Sequence, residues 1–81
     1  MKIQEYKYNF AMINSRLKDI MAKRFDCDKI YDKELAYELA VTPSYYAVAK
    51  KRKKILFEEI LYYCHLNNID INWILFGAND I

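Results

Sequence analysis

Eighty-one residues make one domain, and a chain this short buries only about 60 to 65 % of its unfolded surface, so its core must be efficient. A hydrophobic content of 54 % with one glycine and one proline excludes disorder and a loop-rich sheet, and favours a compact helical bundle. The net charge of +2 is weak for a nucleic-acid binder as a total, but Lys50, Lys51, Arg52, Lys53 and Lys54 carry five positive charges, leaving −3 for the rest.

Two cysteines, Cys27 and Cys64, are too few for a disulfide framework and lie outside any CxxC spacing, the usage of reduced thiols in a cytoplasm. There is no apolar run of about 18 residues and no charged-then-apolar start with a small-residue cleavage site, so neither membrane insertion nor secretion is expected.

Met1 to Tyr8 alternates loosely, which suits a short strand, a flexible arm or the start of the first helix. From Asn9, the residues Phe10, Ile13, Leu17, Ile20 and Met21 fall on one face while Arg16, Lys18 and Asp19 occupy the other. This spacing predicts an amphipathic helix over 8–22 whose aromatic and methionine positions fill the core. Lys23 to Tyr31 then breaks the period with alternating charges and small acceptors. Asp28 is a candidate cap for the second helix, predicted over 29–40 with a start anywhere from Lys29 to Lys33, because its carboxylate can accept from N–H groups two or three residues on. Cys27 between Asp26 and Asp28 is poor zinc chemistry without a histidine nearby, and no metal or cofactor is expected.

The stretch from Asp32 to Arg52 organises the chain. Leu35, Ala36 and Leu39 recur at helical spacing, Ala36 where only a small side chain fits a close crossing, and Ala40-Val41 interrupts the pattern. Thr42 followed by Pro43 starts another helix, predicted over 43–52: the threonine hydroxyl can accept from an orphan N–H, and proline at the first helical position forfeits a donor that had no partner. Two short helices joined by a tight turn, with cations beside the second, are the geometry of a helix-turn-helix DNA reader. In that register Thr42, Ser44, Tyr45, Ala47, Val48 and Lys51 project outward, Tyr46 faces the other helices, and Ala49 lies at the edge of that inward face. Ser44 and Tyr45 can hydrogen-bond phosphates or base edges, and Ala47 and Val48 can contact thymine methyls. No Arg, Asn or Gln supplies a bidentate base contact, so specificity is expected to be modest and affinity to be dominated by phosphate contacts from residues 50–54, with Lys50, Lys51, Arg52 and Lys54 in the DNA-contacting set.

A fourth helix is predicted over 56–67, with Phe57, Ile60, Leu61 and Cys64 as its core stripe and Glu58 and Glu59 in the first turn, where the helix dipole favours them. Cys64 is expected to be buried and His65 on the surface, about 100° apart on the helix, so they form no nucleophile and base pair. Tyr62 and Tyr63 suit either a dimer contact or a solvated flank. Asn68 can stop this helix in a left-handed conformation, and Asp70 can cap a last helix over 71–76, whose Ile71, Trp73, Ile74, Leu75 and Phe76 are core or subunit interface.

The order Asp-Lys-Glu-Leu-Ala, two apolar turns, then Val-Thr-Pro-Ser resembles the N-terminal DNA-binding domain of the phage CI-type, lambda-repressor-like repressors. Residues 69–77, IDINWILFG, resemble the apolar-Trp-apolar-apolar-x-Gly segment that closes that domain. KILFEEILYYCHLNN is similar to the family's fourth helix and NFAMINSRLKDIM to its first, so the resemblance covers about residues 8–78. No single motif is specific; four in the right order are. The chain departs from the family in a longer link between helices 1 and 2, in Ala40 where the turn usually holds glycine, and in Ala49 where the recognition helix often carries a Trp. Alanine forced to positive φ costs on the order of 1 kcal/mol, so the turn is expected to be slightly reshaped. Tyr45 and Tyr46 are bulkier than the usual residues, and base preference does not transfer.

The resemblance implies an all-α, five-helix domain that binds double-stranded DNA as a cytoplasmic, nucleoid-associated phage or bacterial repressor, dimeric on a two-fold operator. CI-type repressors usually continue past the Trp-containing helix into an oligomerisation domain, whereas this chain stops four residues after Gly77. Half-sites about 34 Å apart need paired units, so unless the chain is an excised fragment, Tyr62, Tyr63, Ile71, Ile74, Leu75 and Phe76 are expected to supply a homodimer contact. An enzyme is disfavoured, since there is no paired-carboxylate cleft, Gly-rich phosphate loop, Ser-His-Asp arrangement or metal-ligand spacing. No small-molecule ligand is evident. The competing reading is a protein-interaction module, an antirepressor or adaptor that uses the Tyr-rich surface of the same scaffold.

Overall fold

In the computed structural model, which describes residues 8–77, all regular structure among those residues is helical: α1 (Phe10–Phe25), α2 (Asp32–Glu38), α3 (Pro43–Arg52), α4 (Phe57–Leu66) and α5 (Ile71–Phe76). The question of an arm or strand in residues 1–7 lies outside the described residues. No described helix is long and apolar enough to cross a membrane.

Asn9 starts α1, its Oδ1 accepting from the Met12 N–H at 3.0 Å. Ile13, Leu17 and Met21 follow at four-residue steps and are buried. The helix runs past Met21 to Phe25 instead of ending near residue 22, because Arg24 is held across the bundle. Its guanidinium donates to Tyr63 Oη and to Asn67 Oδ1, each at 2.8 Å. Charges that read as a loop in sequence thus belong to the last turn of α1, where the dipole also favours cations.

α2 starts at Asp32, within the expected span from Lys29 to Lys33, and does not use Asp28. Ile30 is buried ahead of it and holds the link against the core, so the chain turns helical only after Tyr31, whose N–H donates to Glu34 Oε1 at 2.7 Å. Ala40 ends the helix at φ 63°, with its N–H donating to Tyr37 O and the Val41 N–H to Ala36 O, both at 3.0 Å. These are the two bonds of a Schellman motif, made here by an alanine that carries the strain of positive φ. Four residues, Leu39 to Thr42, separate α2 from α3. Thr42 Oγ1 accepts from the Tyr45 N–H at 3.1 Å with Pro43 in the first turn, as its sequence predicts.

The core stripe of α4 is rotated from the expected one. Leu56, Ile60, Tyr63 and Cys64 are buried, whereas Leu61 is 50 % exposed and Phe57 lies at the surface. Tyr63 takes an inward position because its hydroxyl accepts from Arg24 there, which satisfies the polar end of an otherwise buried ring. Asn68 ends the helix at φ 56°, with the Ile69 N–H donating to Cys64 O at 2.9 Å. Asp70 then caps α5 through the Asn72 N–H, and Gly77 closes it at φ 75°.

The largest fully buried side chains are Ile13, Leu17, Met21, Leu35 and Ile74, at about 1.5 to 3 kcal/mol of burial each. α1 packs against α2 and α5, α2 against α3, and α4 against α5. Arg16, reaching from α1 to donate to Ile74 O at 3.0 Å, ties the short α5 to this core.

Candidate functional site

The two faces of α3 divide sharply. Tyr46 and Ala49 are buried, and Thr42, Ser44, Tyr45, Ala47, Val48, Lys50, Lys51, Arg52 and Lys54 are all exposed. The nine residues expected to contact DNA are therefore all solvent-accessible, and Ala49 belongs to the inward face. From Thr42 to Lys54 there is no acidic residue, and the last five positions are all cationic.

Tyr46 anchors α3. Its hydroxyl donates to Asn14 Oδ1 on α1, and its ring lies 6.3 Å from that of Phe10. Burial, with the nearby Asp32 charge, holds this phenol well above its ordinary range, so it stays a neutral donor. Nothing in the spacing of the sequence couples Asn14 to Tyr46.

The five cations are not equivalent. Lys50 Nζ sits 2.6 Å from Asp32 Oδ2, and Lys18 Nζ sits 2.7 Å from Asp32 Oδ1, so one carboxylate at the start of α2 bridges α1 and α3. The hydrogen bond from Lys18, then that from Lys50, holds the Asp32 carboxyl below its usual range. Lys53 adopts the left-handed conformation, φ 56°, that terminates α3, where its N–H donates to Lys50 O. Grooves flank the helix on both sides. One is lined by Asp32, Lys33, Pro43, Ala47, Lys50 and Lys51, the other by Tyr45, Val48, Arg52 and Lys54. Lys18, Asp32 and Lys33 escape a reading by periodicity because they join this surface from other helices.

Two of the six residues expected at a dimer contact are internal. Tyr63 is 3 % and Ile74 0 % exposed, both spent on the core of their own chain, so neither can meet a partner. Ile71 and Leu75 are half-buried, and Tyr62 stands out on α4. Phe76 lies near the Tyr8 ring, which also meets Phe57 edge-on at 5.1 Å. Cys64 is buried, its thiol pushed up to about 11 by desolvation, while Cys27 is exposed. Among the described residues no three His, Cys, Asp or Glu side chains gather to hold a metal ion. No protein-family model, curated protein or solved structure matches the chain.

Proposed function

We propose that this chain is a duplex-DNA-binding transcriptional regulator of the phage CI-repressor kind, with α2 and α3 acting as its helix-turn-helix. The observation that carries this reading is the outward face of α3: small polar and apolar side chains at its start, then five exposed cations with no acid among them. A ten-residue helix is about 15 Å long, which suits a major groove about 12 Å wide. Thr42, Ser44 and Tyr45, at the N-terminal end that penetrates deepest, meet base edges or adjacent phosphates, and Ala47 and Val48 lie against thymine methyls. Lys51, Arg52 and Lys54 neutralise phosphates. Buried Tyr46 and Ala49 keep this face turned outward.

Two copies pair across a two-fold operator so that base contacts double, and binding there occludes a promoter. With Tyr63 and Ile74 internal, the pairing surface falls to Tyr62 on α4 with Ile71, Leu75 and Phe76 on α5. Selection of bound sequences from random duplex DNA tests the reading: a two-fold consensus supports both DNA recognition and pairing. Failure to retain any duplex at low salt, with tyrosine-dependent capture of a protein instead, identifies an interaction module.

A further inference from the structure

Asp32 stands at the edge of the DNA-facing surface, in the groove it shares with Lys33, Pro43, Ala47, Lys50 and Lys51. Each of its two oxygens holds one lysine, Lys18 from α1 at 2.7 Å and Lys50 from α3 at 2.6 Å. A backbone phosphate would offer the same two ammonium groups the same thing: anionic oxygens on one centre. We propose that Asp32 is a built-in phosphate mimic that holds Lys18 and Lys50 away from the DNA backbone. It would thereby lower the affinity of the reading helix for every duplex alike, a role that rests on the DNA-binding function proposed above.

The pair is accessible: the side chains of Lys50 and Asp32 are 52 % and 38 % exposed. Ion pairs this exposed contribute only modestly to folding, so the chain should still fold without the carboxylate, while its charge acts on an approaching polyanion. A lysine that leaves Asp32 for a phosphate exchanges one anionic partner for another and strands a carboxylate beside the duplex. The gain is therefore small, and fewer counterions leave the DNA than five cations would release. Phosphate contacts carry no sequence information, so suppressing two of them weakens binding to every sequence alike. Contacts from Ser44, Tyr45, Ala47 and Val48 are unaffected, and their share of the total binding energy rises.

Asp32→Asn keeps the shape and removes the charge. Each freed lysine that meets a phosphate should steepen the log–log salt slope by about 0.9, or about eightfold in affinity at 0.1 M salt if the proteins are equal at 1 M. The experiment measures anisotropy of a fluorescein-labelled mixed-sequence duplex between about 0.05 and 0.5 M KCl, about one decade of salt, with folding checked by circular dichroism. Asp32→Asn should bind about eightfold tighter at 0.1 M if one freed lysine meets a phosphate and about sixtyfold if both do, with a steeper slope, and adding Lys50→Ala should remove the share of Lys50. In the otherwise unaltered chain, Lys50→Ala should flatten the slope by clearly less than Lys51→Ala, a comparison that holds even if the Asp32 variant fails to fold. Equal or weaker binding by folded Asp32→Asn, or equal losses from Lys50→Ala and Lys51→Ala, overturns the proposal while leaving DNA binding in place. If the unaltered chain binds no duplex at the lowest salt, the DNA-binding reading falls and the role of Asp32 with it.

Discussion

Ala40→Gly should stabilise the protein. Ala40 is exposed and makes its two-bond turn at φ 63°, where the Cβ of an L-residue crowds its own backbone. That conformation costs alanine about 1 to 2 kcal/mol and glycine almost nothing, while the freer unfolded glycine returns about 0.5 to 1 kcal/mol of the advantage. The expected net gain is about 0.5 to 1 kcal/mol, or a rise in Tm of about 2 to 8 °C for a domain of this size. Ala47→Gly is the matched control: the same methyl is removed from an exposed site inside α3, where helical φ gives glycine no advantage and the loss is about 0.5 to 1 kcal/mol. Thermal and urea unfolding followed by circular dichroism should therefore move in opposite directions for the two variants. A shift of the same sign in both would refute the assignment of strain to Ala40.

Gly77→Ala should destabilise by about 1 to 3 kcal/mol in urea unfolding. A Cβ there, at φ 75°, would stand 2.5 Å from Arg16 Nη2, and the guanidinium would have to give up its bond to Ile74 O. Asp32 has a carboxyl pKa lowered by its lysines, so its contribution is present above the ordinary carboxylate pKa and is lost as pH falls through the depressed value. Stability measured from neutral pH into the acid range should accordingly fall less in Asp32→Asn than in the unaltered chain. Cys27 should react with a thiol reagent in the native protein, whereas Cys64, buried and raised to about 11, should react at a rate that tracks unfolding.

What could be read in advance was what depends on neighbours in sequence. Thr42-Pro43 starts α3, Asn68 turns left-handed after α4, Asp70 caps α5 and Gly77 ends it, because each signal acts within a turn of its own position. The division of α3 into an outward row and an inward Tyr46 follows from the register of a helix-turn-helix. What escaped depends on partners far along the chain. Tyr63 looks amphipathic and peripheral until Arg24, 39 residues earlier, supplies the donor that lets it turn inward. Leu61 is displaced to the surface by the same rotation. Asp28 has the chemistry of a cap but loses the role to the burial of Ile30, a tertiary demand with no local signature. Asp32 passes for an ordinary residue in a helix's first turn, and only the folded chain brings Lys18 and Lys50 to its two oxygens.

The central claim is that the outward face and basic end of α3 bind duplex DNA. The most direct test is the affinity of the unaltered chain and of the triple variant Lys51→Ala, Arg52→Ala, Lys54→Ala for one labelled mixed-sequence duplex as salt is varied. Binding should fall steeply and linearly on a log–log plot for the unaltered chain, and the triple variant should lose up to about 2.7 of that slope, about 0.9 for each phosphate contact removed. Affinity and slope left unchanged by the three substitutions, or binding that ignores salt, would contradict the account.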